Sequence, residues 1–272
     1  MSATGAGGPS QPPRPPLPLA GRRILVTRPA GLAEGLAALV RSAGGEAVVA
    51  PALEILDLDD PAPFHAVADR LEQFDLAIFV SRNAVRKGFA LLAARRAAAW
   101  PARTRVAAVG QGTRAELLQR GFAEVIAPES QFDSEALLAL PPLRQVAGLR
   151  VAIFRGAGGR RQLGDTLAAR GALVEHAECY RRARPAEGAR LLAAAWETGI
   201  DAVTVSSGEA LESLFALAGG GLAERLAATP LLVPHRRVAA AAARRGARKV
   251  IVGGPRDAQT VAALVAYFGG AG

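Results

Sequence analysis

Twice in this chain an apolar run stops at small polar residues just where a helix-like stretch begins. Leu76–Val80 ends at Ser81-Arg82-Asn83, and Ala202–Val205 ends at Ser206-Ser207-Gly208. Serine and asparagine at such a junction cap a helix. The same junction presents backbone N–H groups and the positive end of the helix dipole, an arrangement that holds anions. Thr27-Arg28 and Arg155-Gly156 stand at similar strand ends, and Gly110-Gln111-Gly112-Thr113 follows the run Val106–Val109. One corner alone reads as plain capping. Two matched corners beside arginines read as sites for an anionic ligand.

Two further residues have the chemistry of proton donors. Tyr180 lies in "HAECYRRARP" beside several arginines, where a phenol can donate a hydrogen bond or act as a general acid. The plainer reading is a partly buried structural tyrosine. His235 follows the run Leu231–Val233 and reads either as a donor or as a cap. The three histidines show no HxxxH-type spacing, and the single cysteine, Cys179, excludes CxxC zinc sites, so no metal is expected.

These residues need strands and helices to place them. "RRILVT" reads as a strand, and Leu32, Leu36, Leu39 and Val40 then recur at helical spacing up to the stop at Gly44-Gly45. "EAVVAP" follows as a second strand. Apolar runs at Leu76–Val80, Val106–Val109, Val125–Ala127, Val151–Phe154, Ala202–Val205, Leu231–Val233 and Val250–Val252 alternate with helical stretches. Ala172–Val174 reads as a strand with Tyr180 in an extended stretch after it. Alternation of this kind makes a parallel, doubly wound α/β architecture. Ligands there bind beyond the carboxyl ends of the strands.

The sequence also repeats. Arg28 and Gly44 match Arg155 and Gly171 at an offset of 127. Asp75–Leu91 matches Asp201–Leu217 at 126, and "RVAAVGQGTRAELLQRGFAEVI" matches "PLLVPHRRVAAAAARRGARKVI" at 125. Three blocks in one order imply two similar α/β lobes with a cleft between them.

Composition agrees with such a fold. Of 272 residues 50% are hydrophobic and only 5% aromatic, which suits helices packed on parallel sheets. No run of about 18 apolar residues is present, so no membrane span is expected. The net charge of +9 suits a polyanionic partner, but its arginines are spread along the chain, which argues against nucleic acid. Residues 1–20, rich in Gly, Pro, Ser and Ala, read as a disordered tail without a signal-peptide core. With one cysteine, this points to the cytoplasm. "GQGTRA", Gly110–Ala115, fits a loose dinucleotide pattern with Glu129 roughly twenty residues on. The aligned Pro234-His235-Arg236-Arg237 has no glycine, so a tight turn at a ligand corner is preferred.

Taken in order, "ILVTRP", "FVSRNAV", "VAAVGQGT", "IFRGAGGRRQLGDTLAARGA", "ECYRR", "TVSSGEAL" and "LLVPHRRVAAAAARRG" resemble the uroporphyrinogen-III synthase family over about residues 21–268. The resemblance implies an enzyme that converts hydroxymethylbilane to uroporphyrinogen III with inversion of ring D and loss of water. It implies no cofactor, and a monomer acting on one small molecule, a linear tetrapyrrole with eight carboxylates. It implies two α/β lobes joined by linker strands near 50–56 and 178–185, one lobe made of 21–52 plus 183–272 and the other of 53–182. Tyr180 matches the family tyrosine thought to assist departure of the hydroxyl. The substrate contacts implied are Thr27, Arg28, Ser81, Asn83, Gly110, Thr113, Arg155, Gly156, Ser206 and Ser207. At the last binding loop the family's "IGxxTA"-like corner is replaced by Val233-Pro234-His235-Arg236-Arg237-Val238-Ala239, so His235 or Arg236 is expected to substitute for the missing threonine. The rival readings are a non-catalytic two-lobed binder of an organic polyanion and a nucleotide-dependent enzyme using Gly110–Ala115.

Overall fold

The computed structural model describes residues 17–95, 99–129 and 133–270. The tail reading falls outside the described residues for positions 1–16. Ordered chain begins before Gly21, however: Pro18–Gly21 form a turn, Leu19 is wholly buried, and its N–H donates to the Ala43 carbonyl at 2.8 Å. An apolar side chain with a place in the core holds this end of the segment down.

Among the described residues there are ten strands: β1 (Arg23–Val26), β2 (Glu46–Val49), β3 (Glu54–Leu56), β4 (Leu76–Phe79), β5 (Arg105–Ala108), β6 (Arg150–Gly156), β7 (Leu173–Ala183), β8 (Ala202–Thr204), β9 (Leu231–Val233) and β10 (Val250–Val252). The chain divides into two compact units. One takes the chain up to Ala52 and from Pro185 onward, and the other takes Leu53–Arg184. The first contains a parallel sheet in the order β10-β9-β8-β1-β2. The second contains the order β3-β7-β6-β4-β5, parallel except that β3 runs antiparallel to β7, pairing Glu54 with Ala183 and Leu56 with Arg181.

The repeat explains both sheets. β1–β2 correspond in sequence to β6–β7, and β8–β9 to β4–β5. Each unit therefore joins the first part of one copy to the later part of the other. The matched glycines Gly44 and Gly171, at φ +90° and +85°, both end a helix in the left-handed conformation that favours glycine.

Both sheets are covered on their faces. In β4, Leu76 and Ile78 pack into one buried cluster while Ala77 and Phe79 pack into the other, so the run is apolar throughout. Phe79 stacks on Phe154 at 4.5 Å within an aromatic group that includes Phe89, Trp100 and Phe122. In the first unit helix Ala30–Ser42 buries Ala33, Leu36 and Val40 against Ile24 and Val26, whereas Leu39 stays 39% exposed.

Two sequence expectations are corrected. Val125–Ala127 makes only a bridge at Ile126, which donates to the Val106 carbonyl and accepts from Ala108 N–H. Pro128 follows and has no N–H to continue the ladder. Conversely, the strand expected at Ala172–Val174 runs on to Ala183, so Tyr180 lies inside β7 rather than beyond it. Among the described residues no helix is long and apolar enough to cross a membrane.

Candidate active site

The second unit gathers Ser81, Asn83, Gly110, Thr113, Arg155, Gly156 and Tyr180 around the carboxyl ends of β4, β5 and β6. Ser81 follows β4 and caps helix Arg82–Arg95: its Oγ accepts the Ala84 N–H at 3.1 Å. Gly110 precedes helix Gln111–Gln119, in which Thr113 is buried. The Arg82 side chain lies over Gly112, where an added Cβ would sit 3.3 Å from Cδ, so the two corners touch.

Arg155 and Tyr180 owe their placement to a break in the β6–β7 ladder. Arg155 pairs with Glu178 but Gly156 pairs with Tyr180, which leaves Cys179 as one extra residue on β7. Such a bulge re-aims the side chains beside it. Tyr180, 1% exposed, lays its ring on Gly156, where a Cβ would come within 2.6 Å of Cε2. Its Oη is 3.1 Å from Ser81 Oγ and accepts from Arg182 Nη2 at 3.0 Å. The Cys179 thiol donates to the Arg155 carbonyl at 3.2 Å, and burial pushes its pKa up to about 12.

Arg155 is the unusual residue. It is 5% exposed, makes no ion pair among the described residues, and donates only a long 3.3 Å bond from Nε to the Gly156 carbonyl. Its guanidinium packs on Gly159 and faces a cavity of about 220 Å³ that is also lined by Arg160, Gly164, His176 and Arg182. Burial holds the Arg155 pKa below its ordinary value; Glu178 opposes this and Arg182 adds to it. His176 is likewise held low, first by burial and then by the charge of Arg155. A desolvated cation among other cations is a place for an anion. A larger cavity of about 420 Å³, lined by Trp100, Arg105 and Phe122 among others, lies at the amino end of edge strand β5, away from these residues.

The first unit builds a parallel corner from Thr27, Arg28, Ser206, Ser207, His235 and Arg236. Ser207 caps helix Gly208–Leu217 by accepting the Ala210 N–H at 3.1 Å, matching Ser81 in detail. Thr27 is fully buried and donates to the Thr204 carbonyl at 2.7 Å, so its hydroxyl is already used inside the sheet. Arg28 forms an ion pair with Asp257 at the start of helix Asp257–Gly269. Ser206, His235 and Arg236 are exposed, and His235 precedes helix Arg236–Arg244 without a side-chain cap. Arg28, Ser206 and His235 line a small cavity of about 70 Å³ with Gly254 and Thr260.

Sequence reasoning missed Arg182 and Asp257. Period-two alternation along the extended segment sets Arg182 on the same side as Tyr180, a signal that was open in the sequence. Among the described residues no group of three or more His, Cys, Asp or Glu is placed to hold a metal ion.

A family model described as uroporphyrinogen-III synthase HemD matches residues 34–265. The uroporphyrinogen-III synthase of Salmonella typhimurium is 38% identical over 199 residues, 71% of this chain and 79% of that protein. That of Escherichia coli is 34% identical over 198 residues, with 71% and 79% covered. Among solved structures, a mutant uroporphyrinogen III synthase from Thermus thermophilus superposes with a TM-score of 0.60 at 20% identity, over 90% of this chain and 97% of that one. The Helicobacter pylori uroporphyrinogen-III synthetase gives 0.57 at 15% identity, over 90% and 99%. The two structures share the fold; the sequence matches carry the kinship, and by them this chain belongs to the uroporphyrinogen-III synthase family.

Proposed function

We infer that the chain is a lyase that closes hydroxymethylbilane, a linear tetrapyrrole with eight carboxylates, into uroporphyrinogen III with inversion of ring D and loss of water. The family match supplies the reaction. The observation in the molecule that supports it best is Arg155, a buried guanidinium with no ion pair among the described residues, facing a cavity at the carboxyl ends of parallel strands. A substrate carboxylate entering there gains a charge-assisted hydrogen bond that water no longer supplies.

The remaining contacts follow from the local chemistry. Ser81, Asn83, Gly110, Thr113 and Gly156 offer N–H and hydroxyl donors in the second unit. Ser206, Ser207, His235 and Arg236 do so in the first. Thr27 contributes through its backbone, since its hydroxyl is engaged, and Arg28 shares its charge with Asp257. Departure of the bilane hydroxyl gives a cationic azafulvene. Ring D then attaches at its substituted carbon, and the spiro intermediate rearranges. Folding a flexible chain into that geometry is an orientation effect of up to about 7–11 kcal/mol. The side chains must also exclude the uncatalysed closure, which gives the type I isomer.

The same reading has the protein acting as a monomer in the cytoplasm, without nucleic acid. Many of its arginines are neutralised in place, as in Arg23–Glu46, Arg70–Glu175 and Arg95–Asp69. The test is an isomer assay. Hydroxymethylbilane is generated in situ, the protein is added, and the oxidised uroporphyrins are separated. Type III is expected; type I alone from folded protein would move the non-catalytic polyanion binder to first place.

A further inference from the structure

The hydrogen bonds around Tyr180 have a direction. Arg182 is a donor with no acceptor atoms, so at 3.0 Å the phenol oxygen must accept from it. Tyr180 is 1% exposed, and the described residues give its own proton one destination, Ser81 Oγ at 3.1 Å. Ser81 Oγ already accepts the Ala84 N–H at 3.1 Å. With both lone pairs occupied, the Ser81 hydroxyl proton has no partner inside this set. Ser81 stands at the strand-end corner and is half-buried; Arg182 is half-buried too, but it offers the phenol a donor and carries no proton relay of its own. The phenol itself is sealed beneath, its ring on Gly156 and the Arg182 guanidinium 5.2 Å from its centroid.

We propose that Ser81, not Tyr180, is the group that donates to the departing hydroxyl of the substrate, and that Arg182 is a positioning residue acting through Tyr180. The proposal rests on the synthase reading above. As the C–O bond of the hydroxymethyl group breaks, its electron pair leaves with oxygen and Ser81 gives that oxygen its proton, forming water. Tyr180 passes its phenolic proton to Ser81, and Arg182 stabilises the phenolate. The proton lost from carbon when the macrocycle closes is taken up by Ser81 Oγ as Ser81 hands its own proton back to the phenolate, so the set ends as it began. No oxidant, reductant or second substrate is needed.

Kinetics of five variants test this: Tyr180→Phe, Arg182→Met, Arg182→Lys, Ser81→Ala and Ser81→Thr, plus the double variant Tyr180→Phe with Arg182→Met. Each is assayed for kcat, KM and the fraction of type III product, with thermal unfolding as a control. Arg182→Met and Tyr180→Phe should each lose about tenfold in kcat, the effect of one hydrogen bond at the transition state, with little change in KM. The double variant should be no slower than Tyr180→Phe. Arg182→Lys, which keeps a donor, should recover most of the loss. Ser81→Ala should fall at least as far as Tyr180→Phe, and Ser81→Thr, which keeps both cap and hydroxyl, should recover most of that loss. Losses that multiply in the double variant, or Ser81→Ala retaining kcat while Tyr180→Phe loses it, would overturn the relay while leaving the synthase reading intact. A parent protein that yields only type I would overturn both.

Discussion

At the scale of single residues, Arg155 decides most. Methionine keeps its stem but removes the charge, so Arg155→Met should lower kcat/KM about ten- to a hundredfold, the range for a charge-assisted hydrogen bond, mainly through KM. Unfolding should be unchanged or slightly harder, because a desolvated cation with no ion pair among the described residues is removed. Steady-state kinetics and a denaturant titration on one preparation check both halves. Cys179 gives a second expectation. Its thiol is buried and held neutral up to about pH 12, so iodoacetamide at pH 8 should not label it until denaturant opens the second unit. Labelling of the native protein at the rate of a free thiol would contradict the burial. Arg155 was legible as a strand-end cation beside glycine, but its lack of an ion pair was not, since pairing is decided by residues far apart in the chain. Tyr180 was legible as a candidate in an extended stretch, but the bulge that aims it was not, because a bulge has no sequence signature strong enough to separate Cys179 from its neighbours.

Elements show the same division between local pattern and distant contact. Asp75 Oδ2 accepts the Arg150 N–H at 2.9 Å, and at the matching place Asp201 Oδ2 accepts the Arg23 N–H at 2.8 Å. Each aspartate thus ties the start of one strand to the start of its neighbour. Asp75→Ala and Asp201→Ala should each destabilise by about 1–3 kcal/mol, the cost of orphaning such a donor, with activity retained by the folded fraction. The Arg150 N–H, then Arg103, hold the Asp75 carboxyl below the usual range. A lowered folded-state pKa means stability that is present above about pH 4 and lost as pH falls through the folded value. Asp75→Asn should remove that part of the acid sensitivity in urea midpoints compared at pH 7 and pH 3. Leu36→Ala should cost about 2–5 kcal/mol, since Leu36 is 1% exposed. The helix bearing Leu36 was readable from apolar spacing, with Leu39 turned out to solvent as the error. Strand Val125–Ala127 was overread because an apolar triplet does not reveal that proline ends its pairing. The aspartate ties were invisible for a different reason: they join residues 75 and 178 positions apart.

Across the whole molecule, the two crossings between units fall at Ala52/Leu53 and Arg184/Pro185. One unit is therefore a single continuous piece of chain and the other is not. A fragment of residues 53–184 should unfold cooperatively on its own. Residues 185–270 alone should not, because β8 pairs with β1, which the fragment lacks, leaving a central strand as a bare edge. Circular dichroism melts of the two fragments separate these outcomes, and a non-cooperative melt of the first would show that it depends on the other unit.

The way the repeat is threaded carries a consequence for descent. Strands β1 and β2 belong to one copy and β8 to β10 to the other, yet all five make one sheet. A protein consisting of a single copy threaded as here would have its two halves in different sheets. With that threading kept, two such chains would complete both sheets by exchanging halves, as a symmetric swapped dimer does. The present chain has the connectivity of that dimer with its subunits fused end to end, the segment between the copies serving as the splice.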